Sequence, residues 1–167
     1  VVDDAGHRLS DVKPYLELPF PITVAILPER EASAVTARAV QAAGKESILH
    51  LPMEPVGEAN PGAGALLTSQ SDAQIVAILE NHLENHPGVI GVNNHMGSLA
   101  TADERVMKLV MAVLAEKGLF FLDSRTTAKS VARAMAELQG IPFAERTVFL
   151  DNDRSGDAVG TQLEEAA

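Results

Sequence analysis

Gly44-Lys45-Glu46-Ser47-Ile48-Leu49-His50-Leu51-Pro52-Met53-Glu54-Pro55 is the stretch on which the fold reading turns. A short apolar run, Ile48 to Leu51, carries a histidine near its C-terminal end and reads as a buried strand. The Pro-Met-Glu-Pro sequence that follows reads as a turn, because proline cannot donate to a ladder. In parallel α/β folds the chemistry gathers at the carboxyl ends of strands. His50 falls at such an end, with Glu54 four residues on. Two further runs end in the same way: Val1-Val2-Asp3-Asp4, and Val89-Ile90-Gly91-Val92-Asn93-Asn94-His95. Carboxylate and imidazole groups at the same end of three strands can converge on one divalent metal.

Outward from that stretch, strand and helix patterns alternate. Val1-Val2 leads into Asp3-Asp4, and Ser10 to Leu18 reads as a short helix with Ser10 as its N-cap. Ile22–Leu27 is rich in β-branched residues and stops at Pro28, the pattern of a buried strand. Glu31–Ala43 is helical, with Gly44 beyond its last turn. Residues 55–70 hold three glycines and form a long loop of the kind that borders binding sites. Ser71-Asp72-Ala73-Gln74 and Thr101-Ala102-Asp103-Glu104 read as capping boxes. They open helices with apolar stripes at three- and four-residue spacing, through Leu83 and through Leu114. A strand at 119–122, a helix at 128–138, a sixth strand at Thr147–Leu150 and a last helix from Gly156 complete the pattern. This order predicts parallel strands joined by right-handed crossovers, as an open sheet or a barrel, in one domain over 1–167.

Composition narrows the function classes. The chain has 167 residues and a formal net charge of −10. That balance argues against nucleic acid and anionic membrane surfaces, which recruit basic patches. There is no cysteine, so disulfides and thiolate metal sites are excluded. No run of about 18 apolar residues is present, so no spanning helix is expected.

The polar residues at strand ends carry the candidate chemistry. Asp3 and Asp4 repel one another unless a cation or hydrogen bonds offset the charge. One could ligate a metal and the other move a proton; turn formation and capping are the structural alternative. In a strand they would face opposite ways, so the chain must turn there. Polar Asn93, Asn94 and His95 at a strand end are costly unless used. Asp123-Ser124-Arg125 could form an internal ion pair or orient a ligand. Asp151 ends the sixth predicted strand. His82 and His86 read as a solvated helix end, and His7 as exposed.

Taken together, Val-Val-Asp-Asp-Ala-Gly (1–6), Leu-Pro-Phe-Pro-Ile-Thr-Val-Ala-Ile-Leu-Pro (18–28), His-Leu-Pro-Met-Glu-Pro (50–55), Gly-Val-Asn-Asn-His-Met-Gly-Ser (91–98), Phe-Leu-Asp-Ser-Arg-Thr (121–126) and Val-Phe-Leu-Asp-Asn (148–152) resemble the divergent polysaccharide deacetylases. These are part of the wider group of NodB-like carbohydrate esterases. The resemblance covers nearly the whole chain. It implies a distorted (β/α) barrel of about seven strands and a metal-dependent hydrolase acting on an acetylated amino sugar or cell-envelope glycan, in the periplasm or another extracytoplasmic space. It implies Asp3 as general base and Asp4 as metal ligand. The wider group has His-x-x-x-His after the third strand; here His50 keeps the first histidine and Glu54 replaces the second. His95 stands where it could supply the missing ligand, completing a site of Asp4, His50 and His95 for a divalent ion of zinc type. Glu54, Asn93, Asn94, Asp123, Arg125 and Asp151 are expected around that ion or the substrate. The group's late histidine has no counterpart before residue 167, so the strand that would carry it is expected beyond the end of the chain. Two other classes fit part of the pattern: a non-catalytic metal- and glycan-binding envelope protein, and a cytoplasmic α/β phosphatase or amidohydrolase.

Overall fold

In the computed structural model, which describes residues 1–150 and 161–162, six parallel strands alternate with five helices. The strands are β1 (Val2–Ala5), β2 (Thr23–Ile26), β3 (Glu46–Met53), β4 (Gly91–Met96), β5 (Phe120–Asp123) and β6 (Phe143–Glu145). They lie in sequence order in one sheet, each parallel to the next. Parallel neighbours joined by right-handed crossovers in this order place every helix on the same face. The helices are α1 (Leu9–Leu16), α2 (Ser33–Ala42), α3 (Asp72–Asn85), α4 (Glu104–Lys117) and α5 (Ala132–Gln139). α3 packs on α4, α4 on α5, and α1 on α2.

Side chains alternate across a strand, so each strand divides its residues between two faces. Leu49, Leu51 and Met53 of β3 join Val92 and Phe121 in the main core, against Ile75 and Leu79 of α3 and Val106, Val110 and Leu114 of α4. A smaller cluster of Val24, Ile26, Val12 and Val40 lies under α1 and α2. His50 and its register partner Asn93 take the opposite face.

That face is concave. β1 and β4 are three places apart, about 14 Å in a flat sheet. Yet Asn93 Nδ2 donates to Asp3 Oδ1 at 3.1 Å. The sheet therefore curls as a barrel wall does, bringing β1 over β3 and β4. Among the described residues β1 and β6 are its edges and do not pair. Among the described residues there are six strands, where about seven in a barrel were expected, and the sheet does not close.

Several boundaries differ from the sequence reading. β3 runs on through Pro52 to Met53. The Pro52 carbonyl accepts from Leu66 N–H at 2.9 Å. In a parallel strand a residue's two polar groups point the same way, so the missing N–H lies on that side and costs no bond to β4. β4 likewise continues through Asn93, Asn94 and His95, paired with β3 as far as Met53↔Met96. The sixth strand lies at Phe143–Glu145, and 147–150 is not a strand. Phe143 stacks on Phe121 at 6.4 Å between centroids, and this packing fixes β6 beside β5. Of the last predicted helix, Thr161 and Gln162 are described and are helical; the remainder and Asp151 fall outside the described residues.

Ser71 forms the expected capping box with Gln74. Ser10 lies inside α1 and bonds Asp11, leaving Arg8 before the helix without a side-chain cap. α4 is capped by Asp103, whose Oδ1 accepts Val106 N–H at 2.9 Å. Thr101 sits in a single 3₁₀ turn, Ala100–Ala102, and donates to the Gly97 carbonyl. Gly118 and Gly140 end α4 and α5 with φ of 67° and 68°, a left-handed geometry that costs a glycine little.

Candidate metal centre

β1 contributes both aspartates because it bulges. Val2 pairs with Val24 and Ala5 with Ile26, so β1 spends one more residue than β2 over the same stretch. Asp4 takes up the excess with φ 57°, left-handed backbone that is rare outside glycine and is tolerated at functional sites. The normal alternation is broken, and neighbouring carboxylates both reach the concave face. The turn expected at the adjacent aspartates is not there: both stay within β1, the bulge does the reorienting, and the chain turns at Gly6.

Asp4 meets two histidines. Its Oδ1 lies 2.9 Å from His95 Nδ1 and 3.2 Å from His50 Nε2, and the two ring nitrogens are 3.3 Å apart. These atoms form a compact triangle from three strands. His50 is only 3% exposed, whereas the Asp4 side chain is 61% exposed, so the cluster opens to solvent on the β1 side. Hydrogen bonding with His50, and then with His95, pulls the Asp4 carboxyl well below the usual carboxylate range.

The triangle fits a tetrahedral ion. Ligands about 2.0–2.1 Å from zinc stand about 3.3–3.4 Å from one another, close to the three separations found here. Three protein donors leave one position open, the arrangement of a catalytic site. The donor set of two imidazoles and one carboxylate suits zinc and its first-row neighbours.

The surrounding side chains fall into two groups. Asn93, 1% exposed, links the cluster to Asp3: Oδ1 lies 2.8 Å from His50 Nδ1, while Nδ2 donates to Asp3 Oδ1 and Ser124 Oγ. Asn94 faces the other way and ties β4 to β5, its Oδ1 accepting Ser124 N–H at 2.9 Å. Glu54 accepts from the N–H and hydroxyl of Thr68, at 2.6 and 2.7 Å, and so fastens the 55–70 loop. Asp123 shapes the turn after β5, accepting Arg125 N–H and the Ser130 hydroxyl. Arg125 faces Glu145 at 3.8 Å, so the Asp123–Arg125 contact runs through backbone and is not an ion pair between side chains. Glu54, Asp123 and Arg125 thus stand outside the triangle.

His82 and His86 correct the sequence reading. Both are buried, at 1% and 4% exposure. His82 Nε2 lies 2.8 Å from the Gly64 carbonyl, and His86 Nδ1 2.8 Å from the His82 carbonyl. The polar Asn81 and Asn85 beside them suggest solvent; the loop packed over α3 excludes it. Ser124, which holds both asparagines, carries no periodic signal. Its one clue is a small hydroxyl at the end of the strand next to β4.

A curled singly wound parallel sheet with an Asp–His–His cluster at its carboxyl end is the architecture of a carbohydrate-deacetylase-like α/β protein. The chain belongs to the divergent polysaccharide deacetylase family, whose model matches residues 1–167. It is 37% identical over 166 residues to an uncharacterized protein of Haemophilus influenzae, covering 99% of this chain and 59% of that one. It is 32% identical to the uncharacterized protein YibQ of Escherichia coli, again over 99% of this chain and 52% of the relative. The chain therefore spans little more than half the length of these relatives. Its fold matches the crystal structure of the uncharacterized protein ATU2773 from Agrobacterium tumefaciens C58, with a TM-score of 0.90 at 23% identity over 98% of this chain and 68% of that one. No helix among the described residues is long and apolar enough to cross a membrane.

Proposed function

We propose that this chain is the catalytic domain of a metal-dependent deacetylase acting on an acetylated amino sugar or cell-envelope glycan in an extracytoplasmic space. The observation that carries this reading is the triangle of Asp4, His50 and His95 with Asp3 beside it, linked through Asn93. Asp4, His50 and His95 would hold one divalent ion of zinc type. Such an ion supplies Lewis acidity and makes water a nucleophile near neutral pH.

The chain's own groups divide the remaining work. Asp3, exposed at the rim and steadied by Asn93, takes the proton from the attacking water. The water oxygen bonds to the acetyl carbon, the C–N bond breaks, and the amine leaves with the proton that Asp3 took from the water. Met96 and Gly97 are both left-handed, with φ of 53° and 87°, and the Gly97 N–H is the candidate donor to the developing oxyanion. The 55–70 loop, held by Glu54 and His82, borders the substrate.

The test is metal content by elemental analysis together with acetate release from N-acetylated oligosaccharides. Wild type should hold about one zinc-type ion per chain and release acetate. Asp4→Ala and His50→Ala should lose the metal, and Asp3→Asn should keep it and lose turnover. Full occupancy in the Asp4→Ala/His50→Ala double variant would overturn the assignment. One observation favours a second reading, a metal- and glycan-binding envelope protein without turnover. Glu54 stands where the wider group has its second histidine and is committed to Thr68. Glycan binding with no acetate release would establish that alternative.

A further inference from the structure

Both amide protons and the carbonyl oxygen of Asn93 are engaged, and the order of these bonds follows from the partners' chemistry. A carboxylate only accepts, so the side facing Asp3 must be the amide nitrogen. Ser124 supplies an independent argument. Its hydroxyl proton is given to the Asn94 carbonyl at 2.7 Å, so toward Asn93 it can only accept. Both contacts place Nδ2 on the Asp3 and Ser124 side. Oδ1 then faces His50 Nδ1 at 2.8 Å, and an amide oxygen cannot donate. His50 must therefore carry its proton on Nδ1. In the neutral ring Nε2 is left with a bare lone pair, aimed at Asp4 Oδ1 and His95 Nδ1. That lone pair is open to a proton from His95 Nδ1 at 3.3 Å or to a cation in the triangle.

We propose that Asn93 is the positioning residue of this site, fixing with one amide both the tautomer of His50 and the place of Asp3. The proposal rests on the metal reading above and adds a dependence that reading does not contain. The ligand histidine and the proton acceptor are set by one group, which touches neither metal nor substrate. Asn93 is almost wholly buried, 1% exposed, so water cannot substitute for it. Ser124 fixes the direction of the whole chain of bonds.

The experiment uses the metal-free protein first. Long-range ¹⁵N–¹H correlation spectra of the His50 ring should show the Nδ1–H tautomer in wild type and a shift toward Nε2–H in Asn93→Leu. Zinc titration should then show affinity reduced about 10- to 100-fold in Asn93→Leu, the usual cost of losing such a partner. Asn93→Asp separates the two duties. A carboxylate still accepts from His50 Nδ1–H but repels Asp3, so zinc affinity should stay within about threefold of wild type while acetate release falls at least tenfold. If Asn93→Leu does not fold, Asn93→Asp still decides the matter, because equal loss of zinc affinity and turnover in it would overturn the proposal. So would an unchanged tautomer and zinc Kd in folded Asn93→Leu. Absence of zinc binding by wild type would sink the metal reading instead, and the tautomer of metal-free His50 would still test Asn93.

Discussion

At Glu54 the chain has a carboxylate where the wider deacetylase group places a second histidine, and the change alters the residue's task. Its oxygen holds Thr68 by two short hydrogen bonds, so the residue anchors the loop. Glu54→Ala should lose about 1–3 kcal/mol of stability in chemical denaturation, because two part-buried, charge-assisted bonds go unmade. Metal content of the same variant should be unchanged; loss of the ion would return Glu54 to the ligand set. Asp4 carries a second prediction at this scale. Its carboxyl is held below the ordinary range by the facing imidazoles. A depressed folded-state pKa means that the contribution to stability is complete above the unfolded value and disappears as pH falls through the folded one. Metal-free wild type should therefore exceed Asp4→Asn in stability at pH 5, and the gap should close only well below about pH 4. Equal stability of the two proteins at pH 5 would mean that the Asp4 charge contributes nothing to the fold.

Among the elements, what the sequence made legible depended on whether the signal was local. The helices α3 and α4 carry apolar stripes over four turns, and Ser71 announces the start of α3, so both were readable. The need to bring both aspartates to one face was readable, but the device was not: a bulge inside β1 replaces the expected turn at Asp3-Asp4. The convergence of Asp4, His50 and His95 was legible only because parallel strands in order put their carboxyl ends together. The lengths of β3 and β4 were not, because Pro52 and the Asn-Asn-His run look like strand breakers until the neighbouring strand is known. β6 was misplaced because the apolar 147–150 run outweighs Phe-Ala-Glu by composition, whereas stacking of Phe143 on Phe121 decides the matter in space. The cap of α4 moved for a similar reason. Thr101 has the right spacing to Glu104, but its hydroxyl is committed to the Gly97 carbonyl. Asp103→Ala should accordingly cost about 1 kcal/mol in denaturant titration. No measurable cost would mean that the Asp103 bond to Val106 contributes nothing to the start of α4.

For the molecule as a whole, the triangle of Asp4, His50 and His95 doubles as a fastening across the open sheet. β1 is an edge strand among the described residues, pairing with β2 on one side and interrupted by its own bulge. Its other ties across the concave face are Asp3 to Asn93 and Asp4 to the two histidines. Without a cation, the second tie rests on the imidazole contacts of Asp4 alone, the shorter of them to His95 Nδ1 at 2.9 Å. With a cation, β1 is joined to β3 and β4, two and three places away in the sheet. Binding to the folded state alone stabilises it by about 2.7 kcal/mol at 100 times Kd, and the gain should be concentrated where opening breaks the site. Hydrogen exchange with and without zinc should therefore show the largest rise in protection in β1 and in Leu27, whose N–H donates to the Ala5 carbonyl at 2.9 Å. β5, which supplies no ligand, should change least. Asp4→Ala should abolish the zinc-dependent rise in β1 while leaving metal-free exchange in β5 as in wild type. If zinc instead protects β5 as strongly as β1, the ion is not bridging the edge strand, and the curl of the sheet is maintained by packing alone.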